Sequence, residues 1–298
     1  MKSGFSWIGR LAAGATAAFV ALSFAGAALG DVVGRPVDGG IDLQPAASQI
    51  RRDVATFHNH ILLPITVGIA LLVAVLLVIC IVRFNARANP TPARWSHNTP
   101  IEIAWTVIPV IILMFIAIFS FKLLFEEHDM PKPYMTVKVT GRQWNWDYEY
   151  PDQKIAAYTS TFMSEADAKA KDRPNLLAVD APMFAPVNQV VRVQVTAEDV
   201  IHSFSMPAFG IKIDAVPGRL NETWFKADRP GVYYGQCSQL CGVNHAYMPI
   251  QIDVLTQPQF DAWVASKAAK PVAVAQAAPA PATPAGASTA PPPAPAAR

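Results

Sequence analysis

Two thiols, an imidazole and a thioether fall within twelve residues in the run Cys237-Ser-Gln-Leu-Cys241-Gly-Val-Asn-His245-Ala-Tyr-Met248. A second imidazole, His202, follows a strand-like stretch at 190–196, from which a β-fold can return it to this loop. Sulfur and imidazole donors together select copper over magnesium and calcium, which want oxygen. Cys241, His245, Met248 and His202 alone complete the set of a mononuclear blue-copper electron carrier. The additional Cys237 opens a different chemistry. Two thiolates so close in sequence can bridge a pair of copper ions, each copper taking one imidazole, with Met248 and a backbone carbonyl as weak outer donors. A bridged pair shares one electron over two metals, so little geometry changes when the electron moves. The cysteine pair alone also reads as a disulfide in an oxidising compartment, a reading that leaves the adjacent His and Met without a role. Zinc rarely takes Met. Cys80, inside an apolar stretch, reads as a small buried residue.

Such donors need a rigid frame, and the flanking sequence is rich in strands. Residues 135–140, 190–196, 231–235 and 249–254 alternate or are enriched in β-branched and aromatic types, with Pro217-Gly218 and Pro230-Gly231 as turns. Many short strands predict an all-β Greek-key sandwich or barrel over 126–267. A more polar loop at 160–186 is expected to carry a helical turn or two, and Thr256-Gln-Pro-Gln259 reads as a capping box opening a helix to about Lys267.

Ahead of this domain lie two apolar stretches, 61–82 and 103–121, each long enough for a hydrocarbon core of about 30 Å. They predict a transmembrane hairpin over 61–125, with Lys122 placed to snorkel. The loop between them holds Arg83, Arg87 and Arg94 and no acid before Glu102, which puts it in the cytoplasm and both long ends outside. Residues 1–30 carry Lys2 and Arg10, then an apolar run ending Ala28-Leu29-Gly30, and read as a signal peptide; a retained membrane helix is the competing reading. Residues 31–60 are then an N-terminal extramembrane segment. Residues 268–298 are almost entirely Ala and Pro and predict an extended, disordered tail.

The 298-residue chain is 52% hydrophobic and 15% charged, against about 25% charged in soluble proteins. A membrane anchor is expected, and a net charge of +2 leaves no basic footprint for nucleic acid. Residues 126–267 hold 13 Lys/Arg and 17 Asp/Glu, hence net −4, a field suited to steering a basic partner. Trp144, Trp146, Tyr148 and Tyr150 alternate and are predicted on one strand face. Asp147, Glu149, Asp152, Asp199 and Glu222 are candidate docking carboxylates around them. Glu102, where the second span begins, reads as a helix-start acid favoured by the macrodipole or as a functional ionisable group at a membrane entrance.

With the HNTPIE run at 97–102, GRQWNWDYEY at 141–150, DVIHSF at 199–204 and DAVPGR at 214–219, the chain resembles subunit II of bacterial cytochrome c oxidases of the haem–copper superfamily, from about Asp31 to Lys267. The resemblance implies a two-helix transmembrane hairpin followed by a cupredoxin domain. It implies two copper ions in a CuA centre on His202, Cys237, Cys241, His245 and Met248, with the backbone carbonyl of Gln239 as sixth donor. Electrons from reduced cytochrome c would arrive through Trp144 and pass to haem in subunit I, where oxygen is reduced and protons are pumped. Glu102 would lie at the mouth of a proton channel. The implied partners are subunits I and III, cytochrome c and membrane lipid, in a bacterial inner membrane with the copper domain on the periplasmic side. A quinol oxidase subunit shares this architecture but does not need the copper donors. Two positions depart from the pattern. The family often has Glu where this chain has Gln239, and that Glu side chain binds magnesium at the subunit I interface; a neutral amide is a weaker ligand for a hard cation. Arg142 stands where His is usual.

Overall fold

A segment that is apolar all round has no polar face to turn to water, and both predicted spans form long helices whose apolar surface is left uncovered by the rest of the chain. The computed structural model describes residues 34–91 and 93–268; the expected signal peptide, 1–30, and tail, 268–298 apart from its first residue, lie outside the described residues. Helix α1 runs Gln49–Arg83 and α2 Thr99–His128, 35 and 30 residues. At 1.5 Å per residue they reach about 52 and 45 Å, well beyond the expected 61–82 and 103–121. The first starts at Ser48, whose Oγ accepts from Arg51 N–H at 3.0 Å. Residues 49–60, expected to be extramembrane, are therefore helix continuous with the span. His58–Leu62 forms a π-turn in which Leu63 N–H bonds His58 O. Pro64 is the cause: it has no N–H to offer and its ring crowds the carbonyl four residues back, so the helix loosens by one residue without breaking. In α2, Asn98 caps the start and Pro109 is accommodated without a break.

The rest builds ten strands: β1 Met135–Arg142, β2 Asn145–Tyr150, β3 Ile155–Ser160, β4 Met183–Pro186, β5 Val191–Ala197, β6 His202–Met206, β7 Ile211–Ala215, β8 Asn221–Phe225, β9 Gly231–Cys237 and β10 Pro249–Leu255. They form two five-stranded sheets ordered β3-β2-β1-β5-β8 and β4-β10-β9-β6-β7. Strict alternation explains the core face of the first sheet: Met135, Val137 and Val139 of β1 and Val191, Val193 and Val195 of β5 are buried, their neighbours only half so. The pairs β1–β5 and β4–β10 run parallel; the remaining strand pairs are antiparallel. Helix α3, Glu165–Ala170, is the helical turn expected in the 160–186 insertion. Helix α4, Gln257–Ala268, opens with Gln259 Oε1 accepting from Thr256 N–H at 3.1 Å, half of the expected capping box.

Residues 34–48 are not a free arm. Gly34 O accepts from Tyr234 N–H at 2.7 Å, Ala47 exchanges backbone bonds with Ala208 and Asp228, and Ser48 Oγ donates to Phe209 O at 2.7 Å. An ion pair between Arg52 and Asp228 completes the seam. The helical anchor is thereby stitched to the second sheet.

Candidate metal centre

Strands β6 and β9 are neighbours, with Phe204 opposite Cys237. The head of β6, His202, and the tail of β9, Cys237, therefore share one end of the second sheet. The approach depends on Gly235, where a Cβ would lie 2.0 Å from Ser205 O. After Cys237 the chain loops over that end and returns as β10, with Met248 just before it. The two Sγ atoms are 3.9 Å apart. Cys241 Sγ lies 3.5 Å from both His245 Nδ1 and Met248 Sδ, and Cys237 Sγ lies 3.3 Å from Gln239 O. The ligand atoms of His202, Cys237 and Cys241 all fall within 4.8 Å of one another. All six expected donors meet at one place, and both cysteines are free thiols.

His202 is fully buried, and its two ring nitrogens differ. Nε2 is 2.8 Å from Asp199 Oδ1. An ionised carboxylate only accepts, so Nε2 carries a proton, and in the neutral ring Nδ1 then holds the lone pair a metal can take. Nδ1 is buried without a hydrogen-bond partner, an arrangement that is costly unless a metal fills it. Gly141 permits the ring's position, since a Cβ there would sit 2.9 Å from His202 Cδ2. Burial pushes the His202 imidazole down, but Cys237 and Asp199 outweigh it and its pKa ends above the ordinary value. Burial likewise pushes the Cys237 thiol up, and the adjacent His202 ring with the Gln239 and Ser203 backbone more than reverses this. For Cys241, burial and the neighbouring Cys237 both act upward. Two thiols this close resist ionising together; a cation between them removes that obstacle. Soft sulfur and borderline nitrogen fit copper. Gln239, whose carbonyl faces Cys237, is itself exposed.

Trp144 departs from the expected face. The β1–β2 reversal, with Arg142 opposite Asn145, uses up Gln143 and Trp144 as turn residues, while Trp146, Tyr148 and Tyr150 point into the core. From the turn, Trp144 Nε1 donates to Cys241 O at 3.2 Å and Gln143 Nε2 donates to the same oxygen at 2.9 Å. Gly242, at φ +121°, lies against the indole. Trp146 Nε1 donates to Met248 O at 3.3 Å. Gln143, Trp146 and Gly141 carry no sulfur or imidazole donor, so only their place in the GRQWNW run could have marked them.

The five candidate docking carboxylates are mostly committed within the chain. Asp147 corrects the expectation outright: it is 9% exposed, accepting from Thr159 Oγ1 at 2.6 Å and paired with Arg142 Nε at 2.9 Å. Arg142 also holds Glu198 at 2.6 Å, which accounts for an arginine at this position. Glu149 pairs with Lys138 at 3.6 Å, and Glu222 with Arg192. Asp152 accepts from Thr136 N–H at 2.7 Å. Glu102 Oε1 accepts from Asn98 N–H at 3.0 Å, the geometry of a helix-start acid.

Two family descriptions match the chain: cytochrome c oxidase subunit II, transmembrane domain, over residues 36–123, and cytochrome c oxidase subunit II, periplasmic domain, over 135–255. A probable cytochrome c oxidase subunit 2 of Rickettsia bellii is 50% identical over 232 residues, covering 78% of this chain and 86% of its own. The cytochrome c oxidase subunit 2 of Cereibacter sphaeroides is 43% identical over 250 residues, 78% of this chain and 82% of its own. Among solved structures, the periplasmic domain of subunit II of cytochrome oxidase from Bradyrhizobium japonicum matches at 52% identity, covering 47% of this chain and 97% of that one, with a TM-score of 0.44.

Proposed function

The chain belongs to the cytochrome c oxidase subunit II family, and from that premise we propose that its β domain takes electrons from reduced cytochrome c and delivers them toward haem in subunit I, where oxygen is reduced and protons are translocated. The observation that carries this reading is the meeting of six soft or weak donors in one cluster, with a tryptophan hydrogen-bonded to the backbone of one of them. A blue-copper carrier needs a single thiolate, whereas Cys237 here lies within the same cluster as Cys241, which favours a pair of copper ions.

Cys237, Cys241, His202 and His245 would hold the copper through sulfur and nitrogen, with Met248 and the Gln239 carbonyl as weaker donors. Bound there, a copper pair supplies one-electron storage with little rearrangement. The chain's own part is to make that storage usable. Burial of both thiols and of His202 keeps water away from the donors. Trp144 provides an aromatic bridge from the outer surface to the Cys241 backbone through a single N–H···O contact. The net −4 of residues 126–267 favours approach of a basic cytochrome c, although most of the individual carboxylates are already paired. Arg83, Arg87 and Arg94 favour a cytoplasmic loop, hence a periplasmic β domain on a bacterial inner membrane. Subunit III and a proton channel mouth at Glu102 are further family expectations.

Rapid mixing of the assembled oxidase with reduced cytochrome c tests the reading. Cys237→Ser and Cys241→Ser should each abolish fast electron uptake while subunit I haem stays reducible by a small-molecule reductant. Undiminished uptake in both variants would remove the copper cluster from the electron path.

A further inference from the structure

We propose that Phe162, in the insertion at 160–186, is a positioning residue for the copper loop: its ring braces Tyr247, which stands between the donors His245 and Met248. The two halves of the loop are held differently. The first half is tied to the domain by Ser238 N–H, which donates to Ser203 O at 3.1 Å, and by the two donors that Gln143 and Trp144 send to Cys241 O. In the second half, the hydrogen bonds of residues 243–247 stay within the loop among the described residues. His245 N–H donates to Gly242 O at 3.2 Å, Tyr247 N–H donates to Asn244 O at 2.8 Å, and His245 Nδ1 lies against Cys241 Sγ. His245–Tyr247 is a single 3-10 turn, a form with poor hydrogen-bond geometry of its own. Beyond it, Trp146 Nε1 holds Met248 O. The turn itself meets the rest of the domain at Phe162, whose ring is edge-on to that of Tyr247, with centroids 5.7 Å apart and planes at 78°.

A brace needs a firm footing, and the insertion supplies one. Its two arms pair: Met163 N–H donates to Ala178 O at 3.0 Å and Asp180 N–H to Thr161 O at 3.1 Å, around a bridge of Phe162 and Val179. Asp180 closes the base, accepting from Thr161 N–H at 2.7 Å and from Thr161 Oγ1 at 2.6 Å. Met163, Ala168 and Ala178 form a small buried cluster of their own. The base is fastened to β10 by Gln251, which is 2% exposed. Gln251 Oε1 accepts from Val179 N–H at 3.3 Å, and its Nε2 donates to Asp253 Oδ1 at 2.7 Å. The insertion therefore grips the chain one residue before Met248, through Tyr247, and three residues after it, through Gln251. A thioether is a weak, uncharged donor, so the backbone on either side sets its distance from a metal.

This inference rests on the proposed copper function for its metal readouts only, so one readout needs no metal. In the full-length, copper-free chain, Phe162→Ala should speed amide hydrogen exchange of residues 243–248 several-fold while exchange in β1 and β5 stays as it was. Phe162→Tyr, which keeps the ring, should leave both alone. In the assembled oxidase, Phe162→Ala should change the copper EPR spectrum and weaken copper binding against a competing chelator roughly tenfold, the scale of lost outer-shell partners at metal ligands. KM for cytochrome c should not change. Tyr247→Ala should give the same changes, and the double variant no more than either single one, because both remove one contact. The proposal is overturned if Phe162→Ala leaves exchange and spectrum unmoved, if the two substitutions add, or if Phe162→Ala acts only by raising KM, which would make the ring a docking residue for the donor. Failure of the copper function itself would appear in the unmutated oxidase as absent copper, and the metal-free exchange would still decide the brace.

Discussion

A methyl group at Gly141 would sit 2.9 Å from Cδ2 of His202 and 3.1 Å from the Trp146 ring, so Gly141→Ala must displace an imidazole wedged between two sheets. Overpacking of this kind costs about 1–3 kcal/mol, and the expected result is a lowered unfolding midpoint together with a changed copper absorption spectrum. An unchanged spectrum would show that His202 does not depend on this approach. At Trp144, replacement by Phe keeps a ring in the turn but removes the donor to Cys241 O. Electron uptake from cytochrome c should fall more than about tenfold, or 1.4 kcal/mol in the barrier, with copper content retained; loss of copper instead would make Trp144 a structural residue. The donors themselves were legible in sequence, because Cys, His and Met at close spacing announce their chemistry. Gln143 was not, since a side-chain amide bond spanning 98 residues leaves no local pattern.

Strand β2 puts Trp146, Tyr148 and Tyr150 in the core, and Tyr158 from β3 packs on both tyrosines, its ring 5.9 and 6.3 Å from theirs. Burial raises all three phenols above their ordinary value of 10.0. A group whose folded pKa is raised gives stability that is fully present below its unfolded value and is lost as pH climbs toward the folded one. Stability should therefore be insensitive to these groups up to about pH 10 and decline above it. Denaturant midpoints at pH 8, 10 and 11.5 test this, and Tyr158→Phe should lessen the decline. A midpoint that stays flat to pH 11.5 would mean the phenols titrate freely. Alternation made β1 and β5 readable in advance and told the inward face of β2 correctly from Trp146 onward. It failed at Trp144 because hairpin reversal, which depends on turn conformation, interrupts the period. The helices outran their apolar stretches for a related reason: capping by Ser48 and Asn98 and contacts to the β domain set their ends, and hydropathy records only what lies in lipid.

Across the whole molecule, residues 34–53 join the anchor to the second sheet through Gly34, Ala47, Ser48 and Arg52, with Ala47 and Ser48 buried. A β domain cut at residue 126 lacks this seam. It should melt roughly 5–10 °C below the full-length chain, the shift expected for about 2–3 kcal/mol in a domain of this size. Equal melting would make the seam energetically idle. The composition had indicated an anchored protein, but that the segment before the first span docks back onto the β domain follows from contacts remote in sequence. The central claim is that one cluster of six donors, four of them on buried residues, holds two copper ions that share an electron. The most direct measurement is copper content together with the EPR spectrum of the full-length chain loaded with copper. Two copper ions per chain, with hyperfine structure from one unpaired electron spread over both nuclei, is the predicted result. One copper with a single-nucleus pattern, or a copper-free chain with Cys237 and Cys241 joined as a disulfide under reducing conditions, would contradict it.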